Sequence, residues 1–205
     1  MDVMDDSLER SEAVRARQEP RRSELLDAAT AYVMEQGLDG LSIRPLAAAL
    51  GIGHRTLLYY FGSKEELIAE IFMAFRAHDR RVLDVNSAVL ASAGPDQAIE
   101  AVWEAMSAPE QTGYWRFFFE AYGYAVREPE RYRAFLDGIV LDWLALIGDH
   151  LVAAGIVDPE RSFALATLTL AAFRGLLLDL VATGDRDRTS AAARALAAAL
   201  AAPRP

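Results

Sequence analysis

The sequence predicts an all-α chain, and three observations carry that prediction. Apolar residues recur at helical spacing, as in Leu25, Ala29, Tyr32 and Val33. Glycine and proline punctuate the second half at helix-length intervals, at Pro109, Gly113, Pro129, Gly155, Pro159, Gly184 and Pro203. No segment alternates apolar and polar residues between hairpin signals, and the triple Phe117, Phe118, Phe119 runs on into EAYGYAVRE, which has helical character. The expected architecture has about nine helices: an N-terminal three-helix domain containing a helix-turn-helix, followed by a larger helical domain.

Residues 1–20 mix charges with few large apolar groups and are expected to form a flexible arm. The next unit, residues 21–85, opens with a supporting helix that stops at Gly37. Ser42 is placed to N-cap a second helix running to about residue 50, with Pro45 in its first turn and Leu46, Ala47 and Leu50 facing inward. Gly51 supplies the left-handed conformation of a sharp turn, and Ile52 is the turn's apolar residue. Leu57 and Phe61 continue the buried face of the third helix, which completes a helix-turn-helix over residues 42–61. Ser63 and Glu66 then form the S-x-x-E pattern of a capping box. The helix they open repeats Ile68, Ile71, Phe72 and Phe75 on one side and is expected to reach about residue 85, linking this domain to the rest.

The outward residues of the third helix, His54, Arg55, Thr56 and Tyr59, make a surface suited to a DNA groove. Residues 52–64 contain no acid, although the chain has 30 acidic residues against 21 basic ones. A surface meant for phosphates should exclude carboxylates. The formal charge of −9 is correspondingly uneven: −3 over residues 1–20, +1 over 21–64 and −7 over the remainder. The residues expected at base edges are Arg44, His54, Arg55 and Thr56, and those expected at phosphates are Ser42, Tyr59, Tyr60 and Lys64. Lys64 also sits beside the free amides of the next helix, where cation and helix N-terminus together form a phosphate clamp. Arg15, Arg17, Arg21 and Arg22 could reach flanking DNA as a basic arm does, against the plainer reading of a solvated tail.

These motifs resemble the N-terminal domain of the TetR family of bacterial transcriptional regulators. The residues that carry the resemblance are Ser42, Leu46, Ala47, Gly51, Ile52, Thr56, Leu57, Tyr59, Tyr60, Phe61, Ser63, Lys64 and Leu67, within a segment of about 60 residues. The chain departs from the family pattern at three places. Leu58 replaces the usual tyrosine after Thr-Leu, so a phosphate contact from that position passes to Tyr59 or Tyr60. Gly53 replaces the common serine that opens the recognition helix, which removes a hydroxyl but lets the backbone amide approach a phosphate. Tyr60 stands where many relatives have histidine before the phenylalanine.

Residues 86–205 are expected to form the second domain, with helices near 95–107, 110–127, 129–154, 159–183 and 188–202. Its aromatics concentrate between residues 103 and 143, as core or as the wall of a cavity. The family resemblance implies an effector pocket among these middle helices, for which Trp103, Met106, Trp115, Phe118, Tyr122 and Trp143 are the candidates. Glu104, Glu120 and Asp142 could meet a cationic ligand and Arg116 an anionic one, although each such residue is more often an ordinary surface residue. Residues 159–181 are apolar on almost every side, which implies either a central core helix or a partner. Pairing with the Ala-rich last helix across a twofold axis would make a four-helix bundle, with Leu168, Ala172, Leu176, Leu180 and Leu196 as candidate dimer-interface residues. Arg174 and Asp179 could pair there or locally. Two reading heads related by such an axis require a palindromic operator in double-stranded DNA.

Other classes lack their residues. The chain has no cysteine, which excludes disulfides and zinc fingers. The positions three before His54, His78 and His150 are Gly51, Phe75 and Ile147, so the Glu-x-x-His pairs of a di-iron bundle are missing. No GxxxxGK[ST] loop or GxSxG elbow occurs. The expectation is a non-enzymatic regulator without cofactor or catalytic metal. No uninterrupted apolar run reaches about 18 residues and no signal-peptide pattern opens the chain, so a cytoplasmic location without a membrane partner is expected. By the resemblance this is a homodimeric repressor controlled by a small-molecule effector. The alternatives are a helical adaptor, or a DNA-binding regulator that uses no small ligand.

Overall fold

The computed structural model of the chain describes residues 3–92 and 97–201, the side chains of residues 3–18, 78, 83, 89–92 and 201 excepted. Among the described residues the architecture is all helical: α1 (Val3–Gln36), α2 (Ile43–Ala49), α3 (His54–Phe61), α4 (Lys64–Ser92), α5 (Ala98–Met106), α6 (Thr112–Ala125), α7 (Arg133–Ala153), α8 (Pro159–Thr183) and α9 (Arg186–Ala201), with a short 3-10 turn at Pro109–Gln111 before α6. The chain divides into two compact units, Met1–Phe75 and Arg76–Pro205. The single helix α4 contributes to both.

In the first unit, Leu25, Ala29 and Val33 of α1, Leu46 and Ala47 of α2, Leu57 and Phe61 of α3, and Leu67, Ile68, Ile71, Phe72 and Phe75 of α4 are buried. Full burial of each large side chain among these is worth about 1.5–3 kcal/mol, so the i, i+3, i+4 spacing of the sequence is what gathers a core from four helices. α1 extends N-terminally past Pro20 to Val3, well before residue 21, over a segment rich in the good helix formers Leu, Glu, Arg and Ala. The cationic side chains proposed for the arm, Arg15 and Arg17, lie outside the described residues.

Two glycines are required by the backbone at the helix-turn-helix. Gly51 has φ +70° and reverses the chain between α2 and α3, with the Ile52 amide returning to the Ala47 carbonyl at 3.0 Å. Gly62 has φ +75°, and a Cβ there would come within 2.1 Å of Glu66 Oε2. That carboxylate belongs to the capping box: the Ser63 amide donates to Glu66 Oε2 at 2.8 Å, and the Glu66 amide donates to Ser63 Oγ at 3.1 Å. Ser42 occupies the extended N-cap position of α2, but its hydroxyl makes no capping bond, a departure from the expected cap; the backbone alone closes that turn, Leu46 N to Ser42 O at 3.2 Å.

The second unit is built around α7 and α8. Gly148 of α7 faces Ser162 and Ala166 of α8, where small side chains let the two helices approach. Helix α8 ends at Gly184, in the left-handed conformation, as its glycine signal requires. Helix α7 begins at Arg133, not Pro129, because the Arg131 and Tyr132 amides close a turn on the Glu128 carbonyl first. An 18-residue stretch of α8 has a mean hydropathy of 1.7, enough by length and composition to cross a membrane despite lacking an uninterrupted apolar run, yet only 28% of it is buried within the chain. Ala166, Thr169, Leu170, Phe173 and Leu177 face the core, while Phe163, Leu168 and Leu178 remain 64%, 60% and 50% exposed. A central core helix would be covered all round, and this one is not.

Candidate nucleic-acid interface and effector cavity

The helix-turn-helix sorts its side chains cleanly. Leu57 and Phe61 point into the unit, and Arg44, His54, Arg55, Thr56 and Ser42 are exposed. Tyr59 is 69% exposed and packs edge-on against Tyr60, centroids 5.6 Å apart. Tyr60 is half-buried, as is Lys64 at the first position of α4. Gly53 is the N-cap of α3, with no side-chain bond to the first-turn amides, and no acid lies in that first turn. The surface therefore presents amide donors, a guanidinium, an imidazole, hydroxyls and an ammonium around one short helix. It contains the functional groups that bind phosphate oxygens and base edges.

Arg22 behaves differently from the basic-arm expectation. Its guanidinium grips both oxygens of Glu70 at 2.5 and 2.6 Å, donates through Nε to the Tyr60 carbonyl at 3.3 Å, and lies over the Phe61 ring at 5.0 Å. Contact of one guanidinium nitrogen with both carboxylate oxygens, at partial burial, makes this an internal tie from α1 to α3 and α4. Arg22 thus holds the reading helix in place from behind. Arg21 pairs with Glu24 at 2.9 Å on the surface.

The second unit contains a cavity between α4, α5, α6, α7 and α8, with about 680 Å³ not filled by protein atoms, counting the part continuous with solvent. Four of the sequence candidates line it: Met106, Trp115, Phe118 and Trp143. Trp103 does not; it is buried toward α9, with Nε1 donating to Ser190 Oγ at 2.8 Å. Tyr122 is also outside the wall and stacks with Phe118 at 6.0 Å. The rest of the lining comes from aliphatic residues such as Val102, Ile147, Leu170 and Leu177, and from Phe173, with Asn86, His150, Thr169 and Arg174 as the polar members. Sequence reasoning weighted large aromatics and so passed over Asn86 and Arg174. Their signal was a polar residue on the inward face of an apolar helix.

A polar cluster adjoins the cavity. Asp79 of α4, 3% exposed, accepts from the Tyr114 hydroxyl and from Trp143 Nε1 at 3.3 Å. Burial holds its carboxyl above the usual range, against the opposing pull of those bonds and of the Arg174 charge. The Tyr114 hydroxyl is pushed upward, first by burial and then by Asp79. Arg174 donates to the Ile139 carbonyl and lies 5.2 Å from the Phe118 ring centroid and 5.6 Å from that of Tyr122. Burial lowers its affinity for the proton, and nearby Tyr122 and Asp79 restore part of it. Asp142, next to Trp143, pairs with Arg76 and Arg80 of α4 at 3.2 and 3.4 Å.

Among the dimer candidates, Leu168 is exposed, Ala172, Leu176 and Leu196 are half-buried, and half-buried Leu180 lines a groove with Ser107, Trp115 and Val181. Arg174 and Asp179 do not pair with each other: Arg174 faces inward as described, and Asp179 holds Arg188 at 2.6 and 2.8 Å. Glu104 pairs with Arg186 at 2.9 Å, and Arg116 is exposed. No group of three or more His, Cys, Asp or Glu that could hold a metal occurs among the described residues.

Residues 25–71 match the family model described as bacterial regulatory proteins of the tetR family. The HTH-type transcriptional repressor KstR2 of Rhodococcus jostii is 42% identical over 55 residues, which cover 27% of this chain and 27% of that protein. KstR2 of Mycobacterium tuberculosis is 40% identical over 55 residues, 27% of this chain and 28% of that protein. The match thus spans just over a quarter of these curated relatives. Likeness in fold reaches much further. The crystal structure of the multidrug binding protein EbrR, complexed with imidazole, superposes with a TM-score of 0.65 at 25% identity, covering 90% of this chain and 96% of that one. A transcriptional regulator from Rhodococcus sp. gives a TM-score of 0.66 at 19% identity over 87% of this chain and 95% of that one. Residues 25–71 thus carry the sequence signature of bacterial regulatory proteins of the tetR family, and nearly the whole chain shares the helical fold of these solved structures.

Proposed function

We propose that the protein is a sequence-specific DNA-binding transcriptional regulator, a repressor whose operator affinity is set by a small molecule bound in the second unit. The observation that carries the DNA reading is the exposed face of α3 and its surroundings: His54, Arg55, Thr56 and Tyr59 stand clear of the core, and residues 52–64 hold no carboxylate. In this reading Arg44, His54, Arg55 and Thr56 read base edges. Ser42, the Gly53 amide, Tyr59, Tyr60 and Lys64 bind phosphates and set the register. Kinship with proteins named transcriptional repressors supports the direction of control.

The uncovered apolar face of α8 supports a homodimer, and two heads on a twofold axis would require a palindromic operator. The cavity in the second unit supports the effector, and a protein named as a multidrug binding protein has a similar fold. Continuous α4 is the covalent path from that cavity to the helix-turn-helix, since its Asn86 lines the cavity and its first residue, Lys64, lies just past Phe61, the last residue of the helix-turn-helix. An effector acts only through different affinities for the DNA-competent and DNA-incompetent states. The protein is further proposed to work in the cytoplasm, where its operator would be. A mobility-shift assay on DNA upstream of its own and neighbouring genes tests the proposal. Salt-sensitive, sequence-specific retardation is expected, and failure on every genomic fragment would remove it.

A further inference from the structure

The effector cavity has an uneven supply of hydrogen-bonding groups. Asn86, 2% exposed, lines it from α4, and its orientation is fixed because Nδ2 donates to the Val82 carbonyl at 2.8 Å. The opposite amide rotamer would set two oxygens against each other. Its Oδ1 is thereby left buried with no partner, and an unsatisfied buried acceptor carries a penalty that a ligand donor would relieve. Thr169 has spent its only hydrogen on the Leu165 carbonyl at 2.9 Å, so its hydroxyl too can only accept.

Charge in the wall is already balanced. Among the described residues no aspartate or glutamate lines the cavity, so none of them pairs with a cationic ligand there. Arg174 is the one guanidinium among the described lining residues, and it is occupied by the Ile139 carbonyl and the Phe118 ring, with the charge of Asp79 nearby. Burial draws the His150 imidazole below its ordinary pKa, which keeps it neutral at pH 7.

We infer that the effector is an uncharged, largely apolar molecule carrying a hydroxyl or N–H group, which donates to Asn86 Oδ1 while its hydrocarbon fills the space between Trp115, Phe118 and Trp143. The inference rests on the effector half of the proposed function and names the chemical class it would take. Because Asn86 belongs to α4, such a donor would bond directly to the helix that continues to the helix-turn-helix.

Three decyl compounds test it on the full chain: 1-decanol, its methyl ether, which cannot donate, and decanoate. Binding is read from tryptophan fluorescence, since two of the three tryptophans line the cavity. The alcohol is expected to bind about fivefold tighter than the ether, the effect of one neutral hydrogen bond, and tighter than decanoate. In Asn86→Leu the alcohol should fall to the level of the ether, with the ether unchanged. Equal binding of alcohol and ether by the unaltered protein, or tightest binding of decanoate, overturns the chemical class while leaving the cavity as a ligand site. No response to any of the three overturns both the class and the effector half of the proposed function. The wild-type comparison needs no variant to fold.

Discussion

Helices α3 and α8 each expose a face that their own unit leaves uncovered, and the two faces are opposites. On α3 the exposed groups are His54, Arg55, Thr56 and Tyr59, polar, cationic or amphipathic. On α8 they are Phe163, Leu168 and Leu178, with Ala164, Ala171 and Gly175 between them. A polyanion gains by releasing its own condensed counterions on meeting the first and gains nothing from the second. A second apolar helix gains by shedding water from the second, at roughly 25 cal/mol per Å² of apolar surface removed, and gains little from the first. The comparison teaches that the chain carries two uncovered surfaces of opposite chemistry, which the proposed function assigns to DNA and to a second copy of the chain.

Breaking the apolar face should have the larger consequence. Leu168→Glu combined with Leu178→Glu puts two charges where the proposed partner helix packs and should convert a dimer to a monomer in light scattering. Operator affinity should fall with it by about 10²–10⁴-fold, the avidity lost when two linked half-site readers separate. A monomer in the unaltered protein at micromolar concentration would refute the occupant assigned to α8. Breaking the polar face should do less to affinity and nothing to assembly. Arg55→Ala should cost specific binding about 1–3 kcal/mol if its guanidinium forks onto a base, with light scattering unchanged. Undiminished affinity would place Arg55 outside the base-reading set. Lys64→Ala should do less again: it should weaken binding to all sequences alike and flatten the salt dependence by about one unit of slope. A sequence-selective loss would mean that Lys64 touches a base.

The two faces were not equally legible in the sequence. The helix-turn-helix and the cap that follows it could be read residue by residue because their geometry demands particular residues: Gly51 at positive φ, Leu57 and Phe61 at core spacing, Ser63 and Glu66 as a reciprocal cap. The bounds of α8 were equally plain, since Pro159 opens it and Gly184 closes it. What the sequence could not give was rotation and partnership. Trp103 and Trp115 are both buried indoles, yet one bonds Ser190 of α9 and the other lines the cavity with its Nε1 on the Met106 carbonyl. Nothing in their spacing distinguishes them, because the answer depends on helices far along the chain. Arg22 is a similar case: a basic residue near a DNA-facing motif looks like a phosphate contact until Glu70, 48 residues later, is found beneath it.

Two polar clusters outside the two faces, one exposed and one buried, account for the smaller effects. The capping box of the first unit is exposed and local, so Ser63→Ala should cost about 1 kcal/mol of that unit's stability, seen as a lower melting temperature by circular dichroism. A variant as stable as the parent would show the cap to be dispensable. The Asp79 cluster of the second unit is buried and spans α4, α6 and α7 through Tyr114 and Trp143, and its signature is a dependence on pH. Burial raises the Asp79 carboxyl above its ordinary value of 3.8 in the folded chain. Between that value and the raised one the folded state holds more protons than the unfolded state, so stability falls as pH rises. The contribution is fully present below 3.8 and is lost as pH rises through the folded value. The slope should be shallow, because the bonds from Tyr114 and Trp143 and the charge of Arg174 all oppose the desolvation that causes it. All three tryptophans lie in the second unit, so denaturant unfolding followed by their fluorescence reports on this unit alone. Asp79→Asn, uncharged at every pH, should flatten the slope in this window, and an unchanged slope would assign it to another group.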